Sequence, residues 1–285
     1  MTSLVRLVRS PVGASAAATA FALAAVAFVV IAGGYDLGHA AAALWSGSVG
    51  SSYSFLNGTL LRATPLIIVG LAVAIAFRAG VLNIGAEGQL LAGAAAATAA
   101  GLSMAGLSGW VSVPLELAIG MVAGAAWAGI AALLKRRFGV LEVISTLMLN
   151  FVALFAVSYL VRGPLQEPTR TYPQTLPLAE SARLPVIIPG QRLHLGFVAA
   201  VVLAIIAWWF LRSTASGFRI RVVGAGAAAA ASAGRVNVGR VVFGAFLASG
   251  ALAGLGGAVQ VTGVTYALFE GISPGYGYTA IAVAL

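Results

Sequence analysis

The 285-residue chain contains no cysteine. That excludes disulfides, iron–sulfur clusters and thiolate zinc sites. It has one lysine, Lys135, and the residue after it is Arg136, so no G-K-[ST] phosphate-binding loop exists. It has one aspartate, Asp36, which rules out a two-aspartate intramembrane protease. Charged residues make up only 8% of the chain, against about a quarter in ordinary soluble domains. Hydrophobic residues make up 61%, and the mean hydropathy is +1.03. A soluble fold of this length could not hide so much apolar surface, so the composition predicts an integral membrane protein. The net charge of +9 reads as the Arg-rich inner loops of such a protein, not as a nucleic-acid surface.

At about 20 residues per crossing, the length allows about eight membrane segments. Apolar stretches run over 11–32, 64–77, 90–101, 115–134, 141–161, 195–211 and 241–261. The first is too long for the apolar region of a cleaved signal peptide and reads as a retained span. A short interfacial helix is expected near 40–45. Residues 162–194, with six prolines, read as an outer loop; residues 212–240, with five arginines, read as a cytoplasmic loop. With the N-terminus inside, 11 basic residues fall on the inner side and 5 on the outer, the expected bias. A last apolar run starts near Thr279 and reaches only Leu285, too short to cross, which gives the expectation that C-terminal spans are missing. The fold class expected is therefore an all-α polytopic transmembrane helical bundle with discontinuous helices, and a single transmembrane domain over 1–285.

Three stretches carry possible chemistry. The first is Asn83-Ile84-Gly85-Ala86-Glu87-Gly88-Gln89, polar residues between two short apolar segments. Gly-interrupted segments of this kind mark broken helices at transporter binding sites. The alternative is that Glu87 caps a helix start or pairs with Arg78. The second is Glu142, Thr146 and Asn150, spaced by four on one helix face, which should line a cavity or glue helices together. The third is Thr214–Gly224, followed by an alanine run to Ala233 and then Gly234, where a short surface helix is expected on the alanines. It could dock on a soluble partner or rest on anionic headgroups. Gly120–Gly124 and Gly250–Gly254 suit close helix packing. An intramembrane serine nucleophile in Gly106-Leu107-Ser108-Gly109 lacks a base, since the two histidines, His39 and His194, fall in or at the edge of outer loops.

Three strings together resemble one family: FRAGVLNIGAEGQLLAGA (77–94), LEVISTLMLN (141–150) and TASGFRIRVVG (214–224). FEGISPGYGYTAIAVAL (269–285) matches as well. They look like the inner-membrane permeases of ABC importers, closest to the nucleoside and simple-sugar group, with ribose and branched-chain amino-acid permeases more distant. The resemblance covers about residues 60–285. It implies a non-enzymatic, cofactor-free transport subunit in a bacterial cytoplasmic membrane. A cytoplasmic ATPase, a second permease (identical or different) and an external solute-binding lipoprotein would be its partners. The solute would be a nucleoside first, a simple sugar second. Asn83, Glu87, Gln89 and Asn150 are the expected translocation-path residues. Gly217, Phe218, Arg219, Arg221, Gly224 and Gly234 match the family's coupling loop. The chain departs from the family where Gly226-Ala227 replaces the usual Asn-Pro, and where Ala231-Ser232 replaces a basic or aromatic pair. An ion-coupled carrier and a branched-chain amino-acid permease are the alternatives.

Overall fold

The computed structural model describes residues 11–232 and 236–285. Gly234, Arg6, Arg9 and Arg235 lie outside the described residues. The fold divides into two compact units that meet in sequence at Thr59 and Leu60.

In the first unit, α1 (Pro11–Ala32) is an exposed apolar helix and α2 (Leu37–Ser48) follows it. Asp36 caps α2, its carboxylate accepting from the His39 amide at 2.6 Å. This is the short helix expected near 40–45, extended at both ends.

The second unit holds α3 (Leu61–Arg78), α4 (Ala86–Ser103), α5 (Gly109–Phe138), α6 (Glu142–Arg162) and α7 (Leu195–Ser213). It continues with α8 (Ala215–Ala225), α9 (Ala227–Ser232), α10 (Val238–Val259) and α11 (Tyr276–Ala284). The described residues contain no strand, only two isolated bridges. Among the described residues, six helical stretches are long and apolar enough to cross a membrane: 13–32, 54–78, 109–138, 142–162, 195–213 and 238–265. Helix α4 is not among them, because Glu87 and Gln89 make its first turn polar and small residues fill much of the rest.

The interruption between α3 and α4 has a local cause. Gly80 adopts a left-handed conformation (φ 73°), and the amides of Gly80 and Val81 bond back to Phe77 O and Ala76 O. That hydrogen-bonded turn ends α3 as glycine-terminated helices end. After seven intervening residues, 79–85, the chain re-enters a helix at Ala86.

Helices α4, α5 and α10 meet backbone to backbone. A Cβ placed on Gly93 would collide with Gly254, one on Gly254 with Gly120 O, and one on Gly124 with Gly250 O. With no side chains between them, the helices gain close dispersion contact where lipid offers no hydrophobic drive. The two G-x-x-x-G pairs are thus partners of one another.

The two ends of this unit differ. At one, Ala76, Val81, Ala131, Ile220 and Phe246 form a buried cluster with Phe210 and Leu211 against it. That cluster gathers the ends of α3, α5 and α7 and the start of α10 beneath α8. At the other end, residues 163–194 fold along the segment after α10. Thr175, Leu178 and Leu184 donate backbone bonds of 2.7–2.9 Å to Leu268, Tyr266 and Thr262. The loop expected there is an ordered cover.

One helix departs from expectation. The alanine run forms only the six-residue α9, whereas the preceding Thr214–Gly224 stretch forms the 11-residue α8. Thr214 caps α8 by accepting from the Gly217 amide at 3.0 Å. Gly217, Ile220 and Val223 form its buried face. Burying that face outweighs the better intrinsic propensity of alanine, which has nothing comparable to bury.

Candidate functional site

The break places Asn83, Glu87, Gln89 and Asn150 in one buried polar layer. Their exposures are 0%, 8%, 1% and 2%, so all four face other helices. Asn83 is the centre. Its Oδ1 accepts from Gly85 N and from Gln89 Nε2, each at 3.0 Å. Its Nδ2 donates to Gln89 Oε1 at 3.0 Å and to Ser249 Oγ on α10 at 2.9 Å. The two amides thus bond reciprocally across the start of α4.

Asn150 holds the same turn from α6. Its Oδ1 accepts from Gly88 N at 2.8 Å, and its Nδ2 donates to Ile84 O at 3.0 Å and Tyr278 Oη at 3.3 Å. Gly88 is needed for this approach, since a Cβ there would press on the Asn150 backbone at 3.0 Å. The other members of the α6 stripe are used locally. Thr146 donates to Glu142 O at 2.6 Å, and Glu142 pairs with Lys135 at 2.6 Å.

Glu87 meets neither Arg78 nor its own helix terminus. Its Oε2 accepts from Gly277 N, in the first turn of α11, at 2.6 Å. A carboxylate at a helix N-terminus is favoured by both the orphan amide and the helix dipole. The capping reading was right in kind but for another helix, 190 positions away.

Helix α8 lies against the other side of the break. Gly224 touches Arg78 O, and a Cβ on Gly80 would lie 3.3 Å from Gly224 Cα. Gly217 is seated on the Phe210–Leu211 backbone. Phe218, Arg219 and Arg221 point away from the unit, Phe218 being 56% exposed. The helix therefore has one face locked to the break and another face, aromatic and cationic, open.

Sequence reasoning passed over several members. Ser249 and Tyr278 complete the amide network, and nothing local marks them. Glu116 is wholly buried in α5, with no hydrogen-bond partner for either carboxylate oxygen among the described residues. His194, assigned to a loop edge, is fully buried between Gly196 and Gly263, each of which would clash with the ring if it carried a Cβ. Its Nδ1 accepts from Gly196 N at 3.1 Å, and burial lowers its pKa from 6.5 to about 4. Beyond α6, Glu270 receives both Arg162 Nε (2.7 Å) and Nη2 (2.8 Å) and bonds Ser158 Oγ. The guanidinium and this hydroxyl lower the Glu270 pKa to about 2.

Residues 55–285 match the family described as "Branched-chain amino acid transport system / permease component". The chain is 39% identical over 267 residues to the guanosine ABC transporter permease protein NupP of Bacillus subtilis, covering 92% of this chain and 76% of that one. It is 39% identical over 240 residues to the glucose ABC transporter permease protein TsgB13 of Haloferax volcanii, covering 81% of this chain and 63% of that one. It is 31% identical over 268 residues to the nucleoside ABC transporter permease protein NupB of Lactococcus lactis, covering 91% and 73%. The chain thus spans about three quarters of the length of NupP and NupB, and less than two thirds of TsgB13. No solved structure matches it significantly. The chain belongs to this permease family.

Proposed function

We propose that this permease-family chain is the membrane subunit of an ATP-driven ABC importer. It carries a small polar solute, a nucleoside before a simple sugar, inward across the bacterial cytoplasmic membrane. The named solutes of NupP, NupB and TsgB13 support the substrate class. The observation that carries the mechanism is the seat of Gly224 on the Arg78–Gly80 backbone.

An ATPase subunit and a second permease are the proposed inner partners, and a solute-binding lipoprotein the outer one. The ATPase would grip Phe218, Arg219 and Arg221 on the open face of α8. Movement of α8 then reaches the break directly, because no compressible side chain separates Gly224 from Gly80. Ile220 carries the same motion into the cluster with Ala76, Val81 and Phe246. The break is in turn tied by Asn83 to Ser249 on α10, and by Asn150 to α6. Asn83, Glu87, Gln89 and Asn150 are proposed to form the wall of the path around this break. When the helices separate, the amides freed from each other offer donors and acceptors to hydroxyls and base edges. Such binding is weak by design, since the helices compete for the same groups.

The test is reconstitution with the ATPase and mate permease in vesicles, and uptake of labelled guanosine and glucose. ATP-dependent guanosine accumulation is expected, with none driven by a proton or sodium gradient alone. Gradient-driven uptake without ATP would establish an ion-coupled carrier instead. Arg219→Glu should abolish ATP-linked uptake while the external protein still binds solute. Glu87→Gln keeps an acceptor for Gly277 N; unchanged uptake and preference would confine its carboxylate to capping α11.

A further inference from the structure

The end of the bundle beneath α8 carries an arrangement that coupling does not use. Helix α5 finishes on three consecutive cations, Lys135, Arg136 and Arg137. Only the first is neutralised, by Glu142. Among the described residues no carboxylate forms an ion pair with Arg136 or Arg137. Arg136 instead faces an aromatic ring: its guanidinium lies 5.8 Å from the centroid of the Phe243 ring on α10.

This stacked pair borders two cavities, each lined by both Arg136 and Phe243. One, about 320 Å³, runs inward to Ala132, Val242 and Phe246. Ala132 is 4% exposed and Phe246 fully buried, so the depth of this cavity is apolar. The other, about 400 Å³, is lined by Arg137 and Leu133. Val238 and Gly239, from the first turn of α10, also border the first cavity, where a helix dipole adds positive potential. The preference of inner loops for basic residues explains cations at this end. It does not explain an arginine facing an aromatic ring at the mouth of an apolar cleft.

A hydrated anion would satisfy the rim and leave the apolar depth empty. A zwitterionic lipid would fill the depth and offer a phosphate, but its ammonium group would add a cation to a rim that already carries two guanidiniums without an ion pair. We propose that the cleft between the end of α5 and the start of α10 binds one anionic phospholipid. Its phosphate sits on Arg136 and Arg137, and an acyl chain lies along Ala132, Val242 and Phe246. Arginine suits this role because its planar fork pairs two phosphate oxygens at once.

The experiment uses the full chain, delipidated in mild detergent. Phosphatidylglycerol and phosphatidylcholine with identical acyl chains are titrated separately, and bound lipid is counted by native mass spectrometry. One phosphatidylglycerol should be held in preference. The double variant Arg136→Gln, Arg137→Gln should bind it about 30-fold more weakly, on the usual worth of two surface cations at a lipid headgroup. Arg212→Gln, at the same end but stacked on Trp208, should bind like the parent. Phe243→Leu keeps every charge and an apolar side chain but removes the ring under Arg136, and should also weaken binding. Equal retention of the two lipids would overturn the proposal, as would unchanged binding in both the double variant and Phe243→Leu. A loss with Arg212→Gln equal to that of the double variant would show a diffuse basic belt and no site. Displacement of the lipid by equimolar inorganic phosphate would show a free-anion site and overturn the lipid.

Discussion

Asn83 uses its side chain four ways, as only a side-chain amide can. Its amide accepts twice and donates twice within a fully buried layer. Asn83→Ala would strand Gly85 N–H and both ends of the Gln89 amide. Each buried unsatisfied group costs about 1–3 kcal/mol, so the variant should unfold several degrees lower in a detergent melt. A melt unchanged from the parent would mean that water replaces the lost partners. The polar residues of this layer were legible in the sequence, because amides and a carboxylate amid apolar residues stand out. Their partners were not: Ser249 lies 166 positions from Asn83 and looks like any serine in a span. Two titrating groups add a pH signature. His194 has a folded pKa of about 4 against 6.5 unfolded, so the unfolded chain binds the proton more readily. Its stabilising contribution is complete above pH 6.5 and is lost as pH falls towards 4. Glu270, at about 2 against 4.5, contributes above pH 4.5 and loses that contribution as pH falls towards 2. Melting temperatures across this range should therefore fall in two stages. His194→Asn, whose Oδ1 can accept from Gly196 N in place of the ring Nδ1, should flatten the upper stage, and Glu270→Gln should shrink the lower one.

Among the elements, α8 is the one that can be uncoupled without touching the path. Its open face and its locked face share no residues. Gly224→Ala would drive a methyl group into Arg78 O, and the backbone must yield by moving α8 off the break. ATP hydrolysis by the assembled complex should survive while solute uptake falls at least tenfold, read as ATP consumed per solute moved. Unaltered stoichiometry would place the transmission elsewhere. The apolar helices were readable because long runs are bounded by Arg78, Lys135, Arg162 and Arg212. Helix α8 was mistaken for a loop, although Thr214 as a cap and Gly217, Ile220 and Val223 at steps of three carried its signature. The alanines beside it drew the assignment, because propensity is visible along a chain and a seat on another helix is not. His194 was missed for the same reason: two glycines make its pocket, and one of them is 69 positions away.

At the scale of the whole subunit, charge is divided by location. The basic residues of α5, α7 and α8 gather at one end of the second unit, around the cluster of Ile220 and Phe246. The opposite end is closed by residues 163–194 and by the Arg162–Glu270 pair. An excess of basic residues in one set of connections, 11 against 5, is visible in the loops, although the proline-rich connection carries arginines of its own. What the sequence could not convey was that the long proline-rich connection is itself hydrogen-bonded into the fold. Nor could it convey how closely three of the helices approach one another.

That approach bears on time as well as space. Where α4, α5 and α10 touch through Gly93, Gly120, Gly124, Gly250 and Gly254, there are no rotamers to change and no gap for water to enter. Opening such a contact requires separating whole helices in one event. The backbone amides along this seam should therefore be the last in the molecule to exchange with deuterium. Those of α8 and of the Ala79–Gly85 break should exchange orders of magnitude sooner. A transport cycle built on this subunit would then have a fixed frame and a moving part, and the clock of exchange would tell the two apart.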